Sequence, residues 1–130
     1  MADQANNGNG DRDVFVYRGG RAPRNVTHVC IDKSVEVIDD LAFNGCAHLV
    51  QVETHDGIRK VGKKAFRGCR SLRSMDLQSA DEIGMQAFEG CEILTGVKFG
   101  DKLETIGKWA FYRSSLQRLN LTSIITVKTW

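Results

Sequence analysis

The chain lacks most of what would break or staple a fold. It has one proline, Pro23, in 130 residues, so its 13 glycines must supply most of the turns. No segment approaches the ~20 consecutive apolar residues that a membrane-spanning helix needs. Net charge is small: 18 Lys and Arg against 16 Asp and Glu leave +2, which says little about partners. The opening MADQANNGNGDRD has neither a basic leader region nor an apolar one, so no secretory signal is visible and residues 1–12 read as a disordered tail. With no leader, four cysteines read as reduced thiols, implying a cytoplasmic or other intracellular location; a secreted or surface location fits only a fragment of a longer chain. The sequons Asn25-Val26-Thr27 and Asn120-Leu121-Thr122 matter only in a secreted protein and read as chance.

What the chain does have is a repeated phrase. Ala-Phe-x-Gly-Cys occurs at Ala42–Cys46, Ala65–Cys69 and Ala87–Cys91, and Lys108-Trp-Ala-Phe-Tyr-Arg-Ser is a near-copy. Phe43, Phe66, Phe88 and Phe111 are spaced by 23, 22 and 23 residues. Five residues earlier stand Ile38, Val61, Ile83 and Ile106, and eight earlier Val35, Ile58, Ala80 and Leu103. Beyond each Phe come Leu49, Leu72, Leu94 and Leu116, each followed three residues on by Val52, Met75, Val97 and Leu119. Thr54, Leu77, Phe99 and Leu121 complete the frame, and Val26, Val29 and Ile31 are a partial earlier copy. Columns kept in step over four copies define a solenoid, because no repeat can bury its apolar side without its neighbours.

Two local periods alternate within a repeat. Met75-Asp76-Leu77 alternates apolar and polar like a strand with one buried face. Val61, Ala65 and Phe66 are spaced as for a single helical turn lying on the core, ended by Gly68. The pattern Leu-x-x-Val-x-Leu followed by Ile-Gly-x-x-Ala-Phe-x-x-Cys, as in LRSMDLQSADEIGMQAFEGC at Leu72–Cys91, resembles the leucine-rich repeats of the BspA-like kind. The resemblance runs from about Val26 to Trp130 and lacks the Asn ladder of better-known leucine-rich repeats. It implies an α/β solenoid: a right-handed superhelix with a short parallel sheet on one face and short helices or turns on the other. It also implies protein or surface binding, no catalytic activity and no cofactor. Residues 13–25, with the alternating Val14-Phe15-Val16-Tyr17, are expected to form an N-terminal cap, and residues 26–130 the repeats. Trp130 aligns with Trp109, which leaves the last repeat incomplete and its coil open to self-association.

Candidate chemistry mostly dissolves into the repeat frame. Cys46, Cys69 and Cys91 recur at the repeat length, without the close ligand spacing of a metal site, and read as small core residues; Arg113 or Ser114 takes their place in the fourth copy. Cys30 and His28 share the outer face, but nothing orients the His or supplies an oxyanion site. Gly57–Lys64 nearly matches a phosphate-binding loop and fails where Lys64 replaces the hydroxyl residue. Seven basic residues lie between Arg59 and Arg73 with no acid. On a solenoid their neighbours are one period away, which pairs Arg59 with Glu36 or Asp81, Lys60 with Glu82, Lys63 with Asp40, Arg67 with Glu89 and Arg70 with Glu92. No nucleic-acid partner is therefore expected, nor any catalytic or metal-binding residue.

Binding is expected on the open sheet face, where alternate strand residues point outward. Its candidate residues are His28, Gln51, Glu53, Ser74, Asp76, Lys98, Arg118 and Asn120, grading from acidic to basic. Five strands at ~4.8 Å spacing make a face smaller than a standard interface, so a partner would also need the edges or a longer array. The expected function is a non-catalytic protein–protein interaction module. The alternative is a structural or cell-surface adhesion segment of a longer protein.

Overall fold

A computed structural model of the chain describes residues 13–116 and the strand Lys128–Thr129. The described chain winds as a parallel β-solenoid of about four turns, with no helix. From β2 to β9 successive strands alternate between two columns, with β1 added to the first and β10 to the second. The first column holds β1 (Val14–Tyr17), β2 (His28–Ile31), β4 (Gln51–Glu53), β6 (Ser74–Leu77) and β8 (Gly96–Phe99). The second holds the two-residue strands β3 (Val37–Ile38), β5 (Lys60–Val61), β7 (Glu82–Ile83), β9 (Thr105–Ile106) and β10 (Lys128–Thr129).

All pairing is parallel, as expected when every strand follows a full turn. In the first column β1, β2 and β4 form one sheet and β6 and β8 another, while β4 and β6 are neighbours bridged by Thr54 Oγ1 donating to Asp76 O at 2.7 Å. The second column is one five-stranded sheet, with Ile38 beside Val61, Val61 beside Ile83 and Ile83 beside Ile106. These strands escape notice in the sequence because two residues are too few to show alternation.

The helical turn expected after each Val or Ile is absent, and tight turns replace it. Leu41, Lys64, Gln86 and Trp109 all have φ between 56° and 65°. Ala42 N donates to Asp39 O and Cys46 N to Phe43 O, at 3.1 Å each, so Leu41 and Gly45 (φ 80°) are the third residues of successive four-residue turns. A left-handed third residue is the mark of a type II turn, and it stops a helix from propagating. Glycine meets that demand without strain at Gly45, Gly68 and Gly90, whereas Arg113 meets it with a side chain at φ 60°. Arg113 therefore stands in the glycine column, and Ser114, whose N donates to Phe111 O, stands in the cysteine column.

These turns aim alternate amides along the solenoid axis. Leu41, Phe43 and Gly45 donate to Lys63, Ala65 and Arg67 carbonyls at 2.6–2.9 Å, and the next two coils repeat the pattern. Gly62, Gly84 and Gly107 serve another need, since a Cβ on any of them would come within 2.4–2.7 Å of the preceding coil's backbone.

The core is the set of columns read from the sequence, with no buried polar or charged residue among those described. Phe43, Phe66, Phe88 and Phe111 stack with centroids 5.0–5.3 Å apart and planes within 9° of parallel. Tyr17 sits on the end of this stack, 5.0 Å from Phe43. Its hydroxyl donates to Gly20 O at 2.8 Å and accepts from Asp39 N at 3.2 Å, and Asp39 Oδ2 accepts from Gly20 N at 2.7 Å. Asp39 thus takes, in the first coil, the place that Gly62 fills in the second. Thr129 pairs with Ile106, a register two residues away from the one that sets Trp130 against Trp109; Trp130 itself lies outside the described residues.

Phe66→Ala removes the middle ring of the stack and should cost ~3–5 kcal/mol in a denaturant melt, as other large core cavities do. Tyr112→Ala, at a position 51% exposed, should change stability by less than ~0.5 kcal/mol in the same assay.

Candidate binding face

The first-column strands present their alternate residues outward, as the period-2 pattern requires. The register places His28 beside Gln51, Cys30 beside Glu53, Ser74 beside Gly96 and Asp76 beside Lys98. Six of the eight sequence-derived candidates therefore share one surface; Arg118 and Asn120 lie outside the described residues. Gln51, Glu53, Ser74, Asp76 and Lys98 are exposed, and His28 is half-buried.

Charges on this face are arranged differently from those on the flanks. Along the basic run, Arg59 meets Asp81 at 3.5 Å, Lys60 meets Glu82 at 3.4 Å and Arg67 meets Glu89 at 3.1 Å. Asp40 accepts the backbone amide of Lys63 at 2.8 Å rather than its ammonium. On the sheet face, by contrast, no ion pair joins Asp76 to Lys98 although they are direct neighbours. Asp76 Oδ1 instead accepts from Gln78 N at 3.3 Å. Beside them lies a shallow cavity of about 390 Å³ floored by Gly96 and bordered by Ser74, Asp76, Lys98 and Leu116. Because Gly96 carries no side chain, the sheet backbone is open there.

Cys30 interacts with Glu53, its neighbour on the next strand. Burial, then the hydrogen bond and charge of Glu53, push its thiol up, so it stays protonated at neutral pH. His28 Nδ1 lies 3.1 Å from Thr27 Oγ1. Among the described residues no group of three or more His, Cys, Asp or Glu is placed to hold a metal ion.

The cysteine column is buried, as the frame required, and it has a polar function that the frame did not reveal. Cys69 Sγ donates to Phe43 O at 3.3 Å, Cys91 Sγ to Phe66 O at 3.1 Å and Cys46 Sγ to Pro23 O at 3.6 Å. Each thiol thus fastens its coil to the one before. Burial raises all three, Cys91 to about 12.

These features define a leucine-rich-repeat solenoid with one open sheet face. The sequence profile of the BspA type leucine rich repeat region (6 copies) matches residues 22–129, and the chain belongs to that family. Two solved structures share the fold. One is a leucine-rich repeat protein from Bacteroides ovatus ATCC 8483, 24% identical, with a TM-score of 0.53 over 81% of this chain and 30% of that one. The other is a leucine rich cell surface protein from Faecalibacterium prausnitzii A2-165, 22% identical, with a TM-score of 0.56 over 80% of this chain and 39% of that one. The chain thus spans well under half the length of either. None of the curated proteins compared with it matches.

The intracellular location expected from the cysteines is corrected by this comparison, since a protein of the same fold is a cell surface protein. The physical reason is that three of the four thiols are buried and held protonated, so their reduced state reflects the core and not the redox poise outside it. No helix among the described residues is long and apolar enough to cross a membrane.

Tyr17, also raised to about 12 by burial, and Cys91 both lose their protons more easily in the unfolded chain than in the folded one. Their contribution is whole below about pH 9 and falls away as pH rises towards about 12, at up to ~1.4 kcal/mol per unit for each group. Guanidinium midpoints should therefore hold from pH 7 to 9 and drop above it, less steeply in Cys91→Ala.

Proposed function

We propose that this chain is a non-catalytic adhesion segment of a cell-surface leucine-rich-repeat protein and holds a protein partner on its open sheet face. The observation that carries the reading is that, among the described residues, Asp76 and Lys98 on that face form no ion pair. Flank charges pair from coil to coil, while Asp76 and Lys98 stay apart beside an open stretch of backbone at Gly96. Charges left free in this way contribute partner choice and association rate more than affinity. The cell-surface description of the Faecalibacterium prausnitzii structure supports the adhesive setting. Its greater length supports a partner footprint that extends over more coils than these.

In this reading residues 13–25 cap the array, since β1 covers the edge of β2 and Tyr17 closes the ring stack with a satisfied hydroxyl. The C-terminal coil expected to self-associate lies largely outside the described residues.

Reversing Glu53, Asp76 and Lys98 together (E53K, D76K, K98E) tests the face. In a pull-down from an extracellular protein extract, the variant should recover at least tenfold less of a partner than the wild type, with an unchanged thermal melt. Equal recovery would remove this face from the account.

A further inference from the structure

Lateral pairing neutralises only part of the basic run. Arg59, Lys60 and Arg67 find acids, but among the described residues Arg70 has no acid within ion-pairing distance. It borders a trough of about 600 Å³ on the turn side of the solenoid, remote in the repeat from the first-column strands. The floor is the column Gly45, Gly68 and Gly90, where no side chain rises from the backbone. At one end the Arg24 guanidinium rests over Gly45, 3.6 Å from where a Cβ would stand. At the other end Arg113 follows Gly90 in the same column, its guanidinium 5.5 Å from the centre of the Tyr112 ring.

Four arginines thus face the trough with two glutamates, Glu89 and Glu92. Glu89 is already engaged, by Arg67 at 3.1 Å and by Gln86 Nε2 at 2.7 Å. The floor amides are engaged too, since Gly45, Gly68 and Gly90 donate to the next coil at 2.7–2.8 Å. What remains for a ligand is the guanidinium groups of Arg24, Arg70 and Arg113, whose planar forks suit carboxylates. Four coils at ~4.8 Å give a run of ~15 Å, the length of about five extended residues.

We propose that this trough binds a short, extended acidic peptide segment whose carboxylates meet Arg24, Arg70 and Arg113. A nucleic-acid strand fits less well. Its unbroken row of phosphates would lie against Glu89 and Glu92, and among the described residues Tyr112 is the one ring lining the trough on which a base could stack. A peptide can set uncharged residues opposite the two glutamates.

The test is fluorescence anisotropy with a fluorescein-labelled hexapeptide rich in Asp and Glu. Wild type should bind it saturably and more weakly as salt rises. R70E/R113E should bind at least tenfold more weakly, while the sheet-face variant E53K/D76K/K98E should bind as wild type does, so failure of the two sites can be told apart. If R70E/R113E does not give the wild-type circular dichroism melt, R70Q/R113Q replaces it with the same expectation. Absence of saturable binding, equal binding by the folded arginine variant, or tighter binding of a hexathymidine strand would each overturn the proposal.

Discussion

The stack of rings from Phe43 to Phe111 fixes the distance and the register at which one coil meets the next. Rings ~5 Å apart and nearly parallel match the ~4.8 Å spacing of paired strands, so the stack and both sheets are satisfied by a single rise. The turn amides of Leu41, Phe43 and Gly45 complete the link, as do the thiols of Cys69 and Cys91 bonded to the Phe carbonyls of the preceding coil. Stacked aromatic pairs each contribute ~0.5–1.5 kcal/mol beyond their buried area, which places a substantial share of coil-to-coil adhesion in this column. Tyr17 ends the stack with a ring that also carries a hydroxyl, so the first coil finishes on a satisfied polar group.

Because the interior is fixed by backbone pairing and apolar stacking, the surface residues are free to vary by face. On the flanks, positions one period apart carry opposite charges and close on each other, as Arg59 does with Asp81 and Lys60 with Glu82. Such exposed pairs add little stability, but they oppose a slip of register. The sheet face and the glycine-floored trough depart from that pattern, since both hold charges that form no ion pair among the described residues. The two proposed sites rest on this contrast rather than on depth, as neither is an enclosed pocket.

The first-column strands, the core columns and the three lateral ion pairs that form, of five expected, were legible in the sequence because each repeats at a period that coincidence does not reproduce. The turn side was not. Leu41, Lys64, Gln86 and Trp109 have nothing in common as side chains, yet all four adopt the left-handed conformation. That conformation is imposed by the neighbouring coils through the amide ladder, so a helical turn was the natural misreading of Val61, Ala65 and Phe66. The glycines at 62, 84 and 107 share one column of the repeat, but only the structure shows that each lies against the preceding coil's backbone. The thiol donors were hidden for another reason: cysteine in an apolar column reads the same whether or not its proton is used.

Location was the reading most exposed to error, because unpaired cysteines report a compartment only when they are accessible. Three of these four are not: Cys46, Cys69 and Cys91 are buried. The account stands or falls on the ring stack. Nuclear Overhauser contacts between selectively labelled phenyl rings test it directly. The account predicts contacts from Phe66 to Phe43 and from Phe66 to Phe88, with none between Phe43 and Phe88. A missing contact from Phe66 to either neighbour, or a direct one between Phe43 and Phe88, would contradict it.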